Sequence, residues 1–206
     1  MKNGLFITME GPDGSGKSTQ IEAIRKYFEN RGEQTVITRE PGGTPISEKI
    51  RNLLLDRENS EMDPMAEALL YAAARAQHVS QVIKPALEDG IHVICDRFID
   101  SSIAYQGYGR ELGDSVAIIN AYAVNNCIPD VTFFMKLNPE VGKSRIDSSS
   151  RDRIEMEKID FHNRVFEGYE ALELEYPDRI VGIDATRNIE EISEEIIMHL
   201  EGLLNR

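Results

Sequence analysis

Glu10-Gly11-Pro12-Asp13-Gly14-Ser15-Gly16-Lys17-Ser18-Thr19 contains, from Gly11 to Ser18, the pattern G-x-x-x-x-G-K-[ST] of a phosphate-binding loop. Its glycines let backbone N–H groups close around phosphate oxygens with no Cβ in the way. The helix expected next turns its N-terminal dipole on the same anion. Lys17 supplies a mobile charge for the β- and γ-phosphates, and the Ser18 hydroxyl can ligate Mg²⁺. Outward from the loop, residues 5–9 form an apolar run of strand length, and residues 20–31 carry Ile21, Ile24 and Phe28 at helical spacing. Strand, loop and helix in that order predict NTP phosphate binding and leave the reaction open.

The 206-residue chain is long enough for one well-buried core with a small inserted lid. Its composition, 41% hydrophobic and 29% charged, is that of an ordinary globular protein. Net charge is −13, which argues against nucleic acid as a partner. An enzyme for anionic substrates must then concentrate its arginines locally. Cys95 and Cys127 have no metal-like neighbours, and the four histidines (His78, His92, His162 and His199) show no paired ligand spacing. The first apolar run is short and ends at Glu10, so neither a signal peptide nor a membrane span is expected, and a reduced cytoplasmic setting is the default.

Along the chain, apolar strand-like runs at 35–38, 91–95, 131–137 and 179–183 alternate with helical patterns at 45–55, 64–84, 114–126, 139–146, 157–176 and 189–204. Pro85 is expected to bend or end the long helix over 64–84. The alternation predicts one α/β domain with a parallel sheet of about five strands joined by right-handed crossovers.

Arg39-Glu40-Pro41-Gly42-Gly43 is a breaker-rich loop after the second strand, on the edge where open α/β sheets bind ligands. Arg39 there is either an anion contact or a solvent-facing loop arginine. Tyr71 and Arg75 stand at i and i+4 on the long helix; an aromatic plane beside a guanidinium suits a nucleobase, and equally a plain surface contact. Asp96, closing the third strand, resembles the second acidic element that positions Mg²⁺, or else caps the next loop. Residues 99–110 pack hydroxyls, an amide, aromatics and glycines together as a recognition loop would. Residues 147–153, serine-rich with Arg151 and Arg153, read as a solvated loop or as a closing lid that brings cations onto phosphates.

Taken together, Glu10–Thr19, Thr38–Gly43, Tyr71-Ala72-Ala73-Ala74-Arg75, Asp96–Gln106 and Asp152-Arg153-Ile154-Glu155 resemble the bacterial thymidylate kinases along essentially the whole chain. The resemblance implies the reaction ATP + dTMP → ADP + dTDP with Mg²⁺, a sheet of order 2-3-1-4-5, and a homodimer. By position, Gly11 through Thr19 would cradle ATP, with Asp184-Ala185-Thr186 bordering its adenine and Ser18 and Asp96 serving the metal. Asp13 would meet the dTMP 3′-hydroxyl, and Arg39 and Arg97 its phosphate. Tyr71 would stack on thymine while Arg75 donates to O4. Ser101, Ser102 and Gln106 would complete the reading of the nucleotide, and Tyr105 would crowd C2′ against ribonucleotides. Some members carry the catalytic arginine in the phosphate loop, where this chain has Gly14. Similar bacterial enzymes carry it on the lid (about 146–156), where Arg153 matches best beside Arg151. Lys17, Asp96, Arg97 and Arg153 are thus the expected catalytic set. The alternatives are a kinase for another nucleoside monophosphate and a nucleotide-binding regulatory module, the latter without an Asn-Lys-x-Asp signature in this chain.

Overall fold

The computed structural model describes residues 4–145 and 152–205. Five parallel strands form one sheet in the order β2-β3-β1-β4-β5: β1 Phe6–Glu10, β2 Thr35–Arg39, β3 His92–Asp96, β4 Val131–Lys136 and β5 Ile180–Asp184. β1 lies at the centre, and all five of its residues, Thr8 and Glu10 included, are buried, as a strand covered on both faces requires. Register places Met9 opposite Asp96 on one side and Phe133 on the other. The strand ends that carry the loop, the aspartate and the Arg39 turn therefore open on the same edge.

Helices cover both faces. α1 (Lys17–Asn30) turns Ile21, Ile24 and Phe28 inward, and α9 (Ile189–Leu204) adds Ile192, Ile196 and Leu200 to the same cluster over Ile7, Met9 and Phe133. On the opposite face Phe6, Val93, Cys95 and Phe98 pack against Val79 and Ile83. A third cluster joins Ala104, Tyr105 and Phe134 to Phe161, Val165 and Tyr169 of α8 (Ile159–Glu175). Each fully buried Phe or Ile in these layers contributes about 1.5–3 kcal/mol. α2 (Pro45–Leu55) and α3 (Pro64–His78) both begin with proline behind a capping side chain, Thr44 and Asp63 respectively.

Two expectations are corrected. Pro85, expected to bend or end the long helix, does not end it. A wide π-helical turn over Val79–Ile83 accommodates the residue that lacks an N–H, and α4 (Lys84–Glu88) continues beyond it. Residues 99–110 are not a loop: α5 (Ile99–Ser102) runs into a π-helical turn, Ile103–Gly109, against α8. α6 (Ser115–Val124) and α7 (Pro139–Ser144) complete the order. No helix among the described residues is long and apolar enough to cross a membrane.

Candidate functional site

The phosphate loop joins β1 to α1. Gly16, the residue before the helix, takes φ 93°, a left-handed conformation that glycine adopts without strain. A Cβ on Gly14 would stand 2.5 Å from the Gly142 carbonyl, so α7 packs directly on the loop. Arg145, just after α7, donates from Nη1 to the Gly14 carbonyl at 3.0 Å. Lys17 is buried, and its ammonium bends back to the carbonyls of Gly11 (3.2 Å) and Pro12 (3.0 Å), 3.7 Å from the Asp13 carboxylate. Burial and then the Arg97 charge push the Lys17 pKa below its ordinary value. An anion is a better partner for this ammonium than two carbonyls. Ser15 Oγ is buried with no hydrogen-bond partner among the described residues, while Ser18 and Thr19 are exposed in the first turn.

Asp96 closes β3, and its Oδ1 is likewise buried without a partner among the described residues. A buried, unsatisfied carboxylate oxygen is costly unless a cation or an ordered water meets it. No group of three or more His, Cys, Asp or Glu side chains able to hold a metal occurs among the described residues. The unpartnered Asp96 oxygen suits a hard divalent ion that takes few protein ligands. Asp184 closes β5, and Ala185 and Thr186 follow on the same edge; Ala185 N donates to the Lys136 carbonyl (3.1 Å) and Thr186 N to Asp184 Oδ1 (3.0 Å).

Arg97 has left-handed backbone, φ 70°, and its N–H donates to the Met9 carbonyl at 3.0 Å. Its Nη2 donates to Asp13 Oδ1 at 2.6 Å, its Nη1 to Tyr169 Oη at 3.2 Å, and its guanidinium lies 5.2 Å from the Tyr105 ring centre. Burial opposes ionisation of Asp13, but Arg97 and Lys17 beside it prevail and hold its carboxyl well below the usual range. Glu10 braces this turn from underneath: Oε1 accepts from Phe98 N at 2.7 Å, and Oε2 from Ser101 Oγ (2.5 Å) and Tyr169 Oη (2.9 Å). Burial, and next the Asp100 charge, push the Glu10 pKa up to about 7.

A cavity of about 140 Å³ opens between α3 and the α5 segment. The structure brings eight of the nine expected dTMP contacts onto its wall: Asp13 and Arg97 at the loop end, Tyr71 and Arg75 from α3, and Ser101, Ser102, Tyr105 and Gln106 opposite. Burial pushes the phenols of Tyr71 and Tyr105 above their ordinary pKa, so both remain neutral hydroxyls. Arg75 is buried and heavily used. Nε donates to Glu40 Oε2 (2.7 Å), Nη1 to Ser102 Oγ (2.8 Å) and Asn120 Oδ1, and Nη2 to the Phe98 carbonyl (2.8 Å). Gln106 Nε2 donates to Glu67 Oε1 at 2.9 Å.

Arg39 is not on the wall; it is exposed and paired with Glu48 at 3.0 Å. Arg153, expected either on a solvated loop or on a closing lid, is not solvated. It is buried, donates from Nε to the Leu54 carbonyl (2.8 Å) and from Nη2 to Glu67 Oε2 (2.8 Å), and does not line the cavity. The reason is Glu67, a fully buried carboxylate that gathers Arg153, Arg110 and Gln106 around itself. Of the expected lid, residues 146–151, Arg151 included, lie outside the described residues. At 152–155 Asp152 Oδ1 accepts from the N–H groups of Ile154 and Glu155, and Asp152, Ile154 and Glu155 line the cavity. Sequence reasoning also missed Glu10, Glu40 and Arg145. The signal for the first two was a carboxylate placed directly at the end of an apolar strand.

Comparison with known proteins gives one answer. The family model described as thymidylate kinase matches residues 9–196. The thymidylate kinase of an Exiguobacterium strain is 50% identical over 197 residues, covering 95% of this chain and 93% of the relative. That of Bacillus cytotoxicus is 48% identical over 205 residues, covering 98% and 99%. Among solved structures, the Ehrlichia chaffeensis thymidylate kinase superposes with a TM-score of 0.79 at 35% identity, over 97% of this chain and 99% of that one.

Proposed function

The chain belongs to the thymidylate kinase family, whose reaction is phosphorylation of dTMP with ATP and a divalent metal, and from that premise we propose how its residues divide the work. The observation that carries the reading is a single cavity running from the buried Arg75 to Arg97 and Asp13 beside the phosphate loop. Thymine lies between Tyr71 and the α5 segment, with its O4 toward Arg75 and its sugar between Asp13 and Tyr105. Ser101, Ser102 and Gln106 border the nucleotide. The dTMP phosphate meets Arg97, and Arg39 joins it by leaving Glu48. ATP lays its phosphates over Gly11–Thr19 and its adenine beside Asp184, Ala185 and Thr186.

The accepting phosphate oxygen is already ionised at neutral pH, so no general base is needed and catalysis reduces to alignment and charge. Lys17 exchanges its loop carbonyls for the β- and γ-phosphate oxygens, where charge spreads in the transition state. Ser18 and the unpartnered Asp96 oxygen would hold the metal, proposed as Mg²⁺, which would supply positive charge to neutralise the phosphates. Arg97 holds the acceptor in line. Arg145, already on the loop at Gly14, is the lid-side cation for the γ-phosphoryl group, and Arg153 anchors the end of the lid through Glu67.

The chain acts as one kinase domain, its lid at about 146–156, working in the cytoplasm without nucleic acid. It pairs with a second copy, for which the exposed Leu69 on α3 and Ile118 and Tyr122 on α6 supply apolar surface on packed neighbouring helices. The test is ADP release with ATP and Mg²⁺ against dTMP, dUMP, dCMP, dGMP, UMP, CMP and AMP. A strong lead for dTMP is expected; a lead for any other acceptor overturns the base-pocket assignments.

A further inference from the structure

Behind Arg75 lies a second set of buried polar groups that no part of the phosphoryl transfer uses. Glu40 stands in the β2–α2 loop, almost wholly buried, and splits its carboxylate between two partners. Oε2 accepts from Arg75 Nε at 2.7 Å, and Oε1 from His78 Nδ1 at 2.9 Å. His78 is fully buried, and its Nε2 meets the Thr38 hydroxyl at 2.7 Å. Because a carboxylate only accepts, His78 Nδ1 carries a proton, and the Thr38 hydroxyl can serve Nε2 as donor or acceptor. Gly43 closes the set from above: a Cβ there would come within 2.5 Å of His78 Nε2.

We propose that Glu40 and His78 are positioning residues which fix the plane of the Arg75 guanidinium and thereby set the base selectivity of the acceptor pocket. The inference rests on the reading that Arg75 faces O4 of the base. Four of its five N–H groups have partners among the described residues, which leaves one, on Nη2, for a ligand. Guanidinium has no acceptor, so a carbonyl at position 4 fits that N–H, and an amino group there sets donor against donor in a dry site. The mismatch is costly only while the guanidinium cannot turn away. The Nε bond to Glu40 prevents the turn, since Nε lies at the pivot of the group. Glu40 is in turn held from rotating by His78, as a carboxylate orients an imidazole in other sites. Thr38, at the end of β2, ties this chain of contacts to the sheet.

The experiment is the ratio of kcat/KM for dTMP over dCMP, with dUMP as the internal control because it keeps O4. Glu40→Gln and His78→Phe are expected to shrink the dTMP:dCMP ratio by about tenfold or more, through a raised KM for dTMP and a lowered one for dCMP. The dTMP:dUMP ratio should not move, which a merely structural lesion would not respect. His78→Asn, which restores a donor near Nδ1, should recover most of the ratio. Thr38→Val, a near-isosteric surface-proximal change, should give a smaller shift of the same sign and serves if the buried variants do not fold. An unchanged dTMP:dCMP ratio in Glu40→Gln and Thr38→Val, while Arg75→Lys loses it, overturns the proposal and leaves Arg75 as the base reader. An unchanged ratio in Arg75→Lys as well overturns the reading of Arg75 itself.

Discussion

The base end and the phosphate end of the cavity are built on opposite plans. At the base end Arg75, Glu40 and His78 are buried, and each polar atom named above meets a protein partner. At the phosphate end Asp96 Oδ1 and Ser15 Oγ have none among the described residues, and Lys17 leans on carbonyls of its own loop. Charge explains the difference. Thymine is neutral, so its contacts can be assembled in advance at little electrostatic cost. A cluster of bare cations waiting for phosphates would repel itself, and each would be expensive to bury alone. The chain instead keeps its cations on carboxylates: Arg97 on Asp13, Arg39 on Glu48, Arg153 on Glu67. Which of these pairs an incoming phosphate can break is what separates a substrate contact from a structural one.

The largest expected effect comes from the unfinished end. Lys17→Ala should lower kcat by about a thousandfold while thermal unfolding changes little, because before ligand arrives the ammonium makes only two hydrogen bonds and one long ion pair, all to its own loop. Turnover within tenfold of the parent protein would remove Lys17 from the transition state. Next comes a contrast between two arginines. Arg145→Ala should cost about a hundredfold in kcat and leave the KM for dTMP nearly unchanged, since its exposed guanidinium reaches the loop and not the acceptor cavity. Arg153→Ala should act first on stability, by about 1–3 kcal/mol, because Glu67 loses one of its partners but keeps Arg110 and Gln106. Steady-state kinetics beside denaturant titration separates the two. The reverse pattern, a kinetic defect in Arg153→Ala and a stability defect in Arg145→Ala, would return the catalytic role to Arg153.

The sheet, its order and the loop were legible because they are written locally. Leu5 to Met9 is a mostly apolar run, broken only by Thr8, and the strand ends carry their functional residues next in sequence. The resemblance named eight residues from three separate segments that share one cavity wall. What stayed hidden was pairing across the fold. Arg153 in a serine-rich stretch reads as part of a solvated loop or of a closing lid, and nothing near it names Glu67, 86 residues away, as its partner. Arg39 in its breaker-rich loop reads as an anion contact or a solvent-facing arginine, and the resemblance makes it a phosphate contact; Glu48 on the next helix takes it up. Residues 99–110 read as a loop because their glycines and hydroxyls suit turns, whereas a wide π-helical turn packed on α8 absorbs them.

Glu10 gives the finest test of the contrast between the two ends, because it braces the phosphate end yet is as buried as anything at the base end. Its partners tolerate both charge states. Phe98 N can only donate, but Ser101 Oγ and Tyr169 Oη can turn to accept a proton from the carboxyl. With its pKa raised from 4.5 to about 7 by burial and by Asp100, the folded protein holds a proton here that the unfolded chain has released. Over that window the native state binds more protons, so this group's contribution to stability falls as pH rises and levels off above about 7. Other groups titrate alike in the parent and in Glu10→Gln, so their difference isolates the effect. Between pH 6 and pH 7 the parent protein should lose about 1 kcal/mol of unfolding free energy relative to Glu10→Gln. Parallel pH profiles in denaturant titrations would mean that Glu10 stays ionised under Arg97, and that the phosphate end is finished electrostatically before any ligand binds.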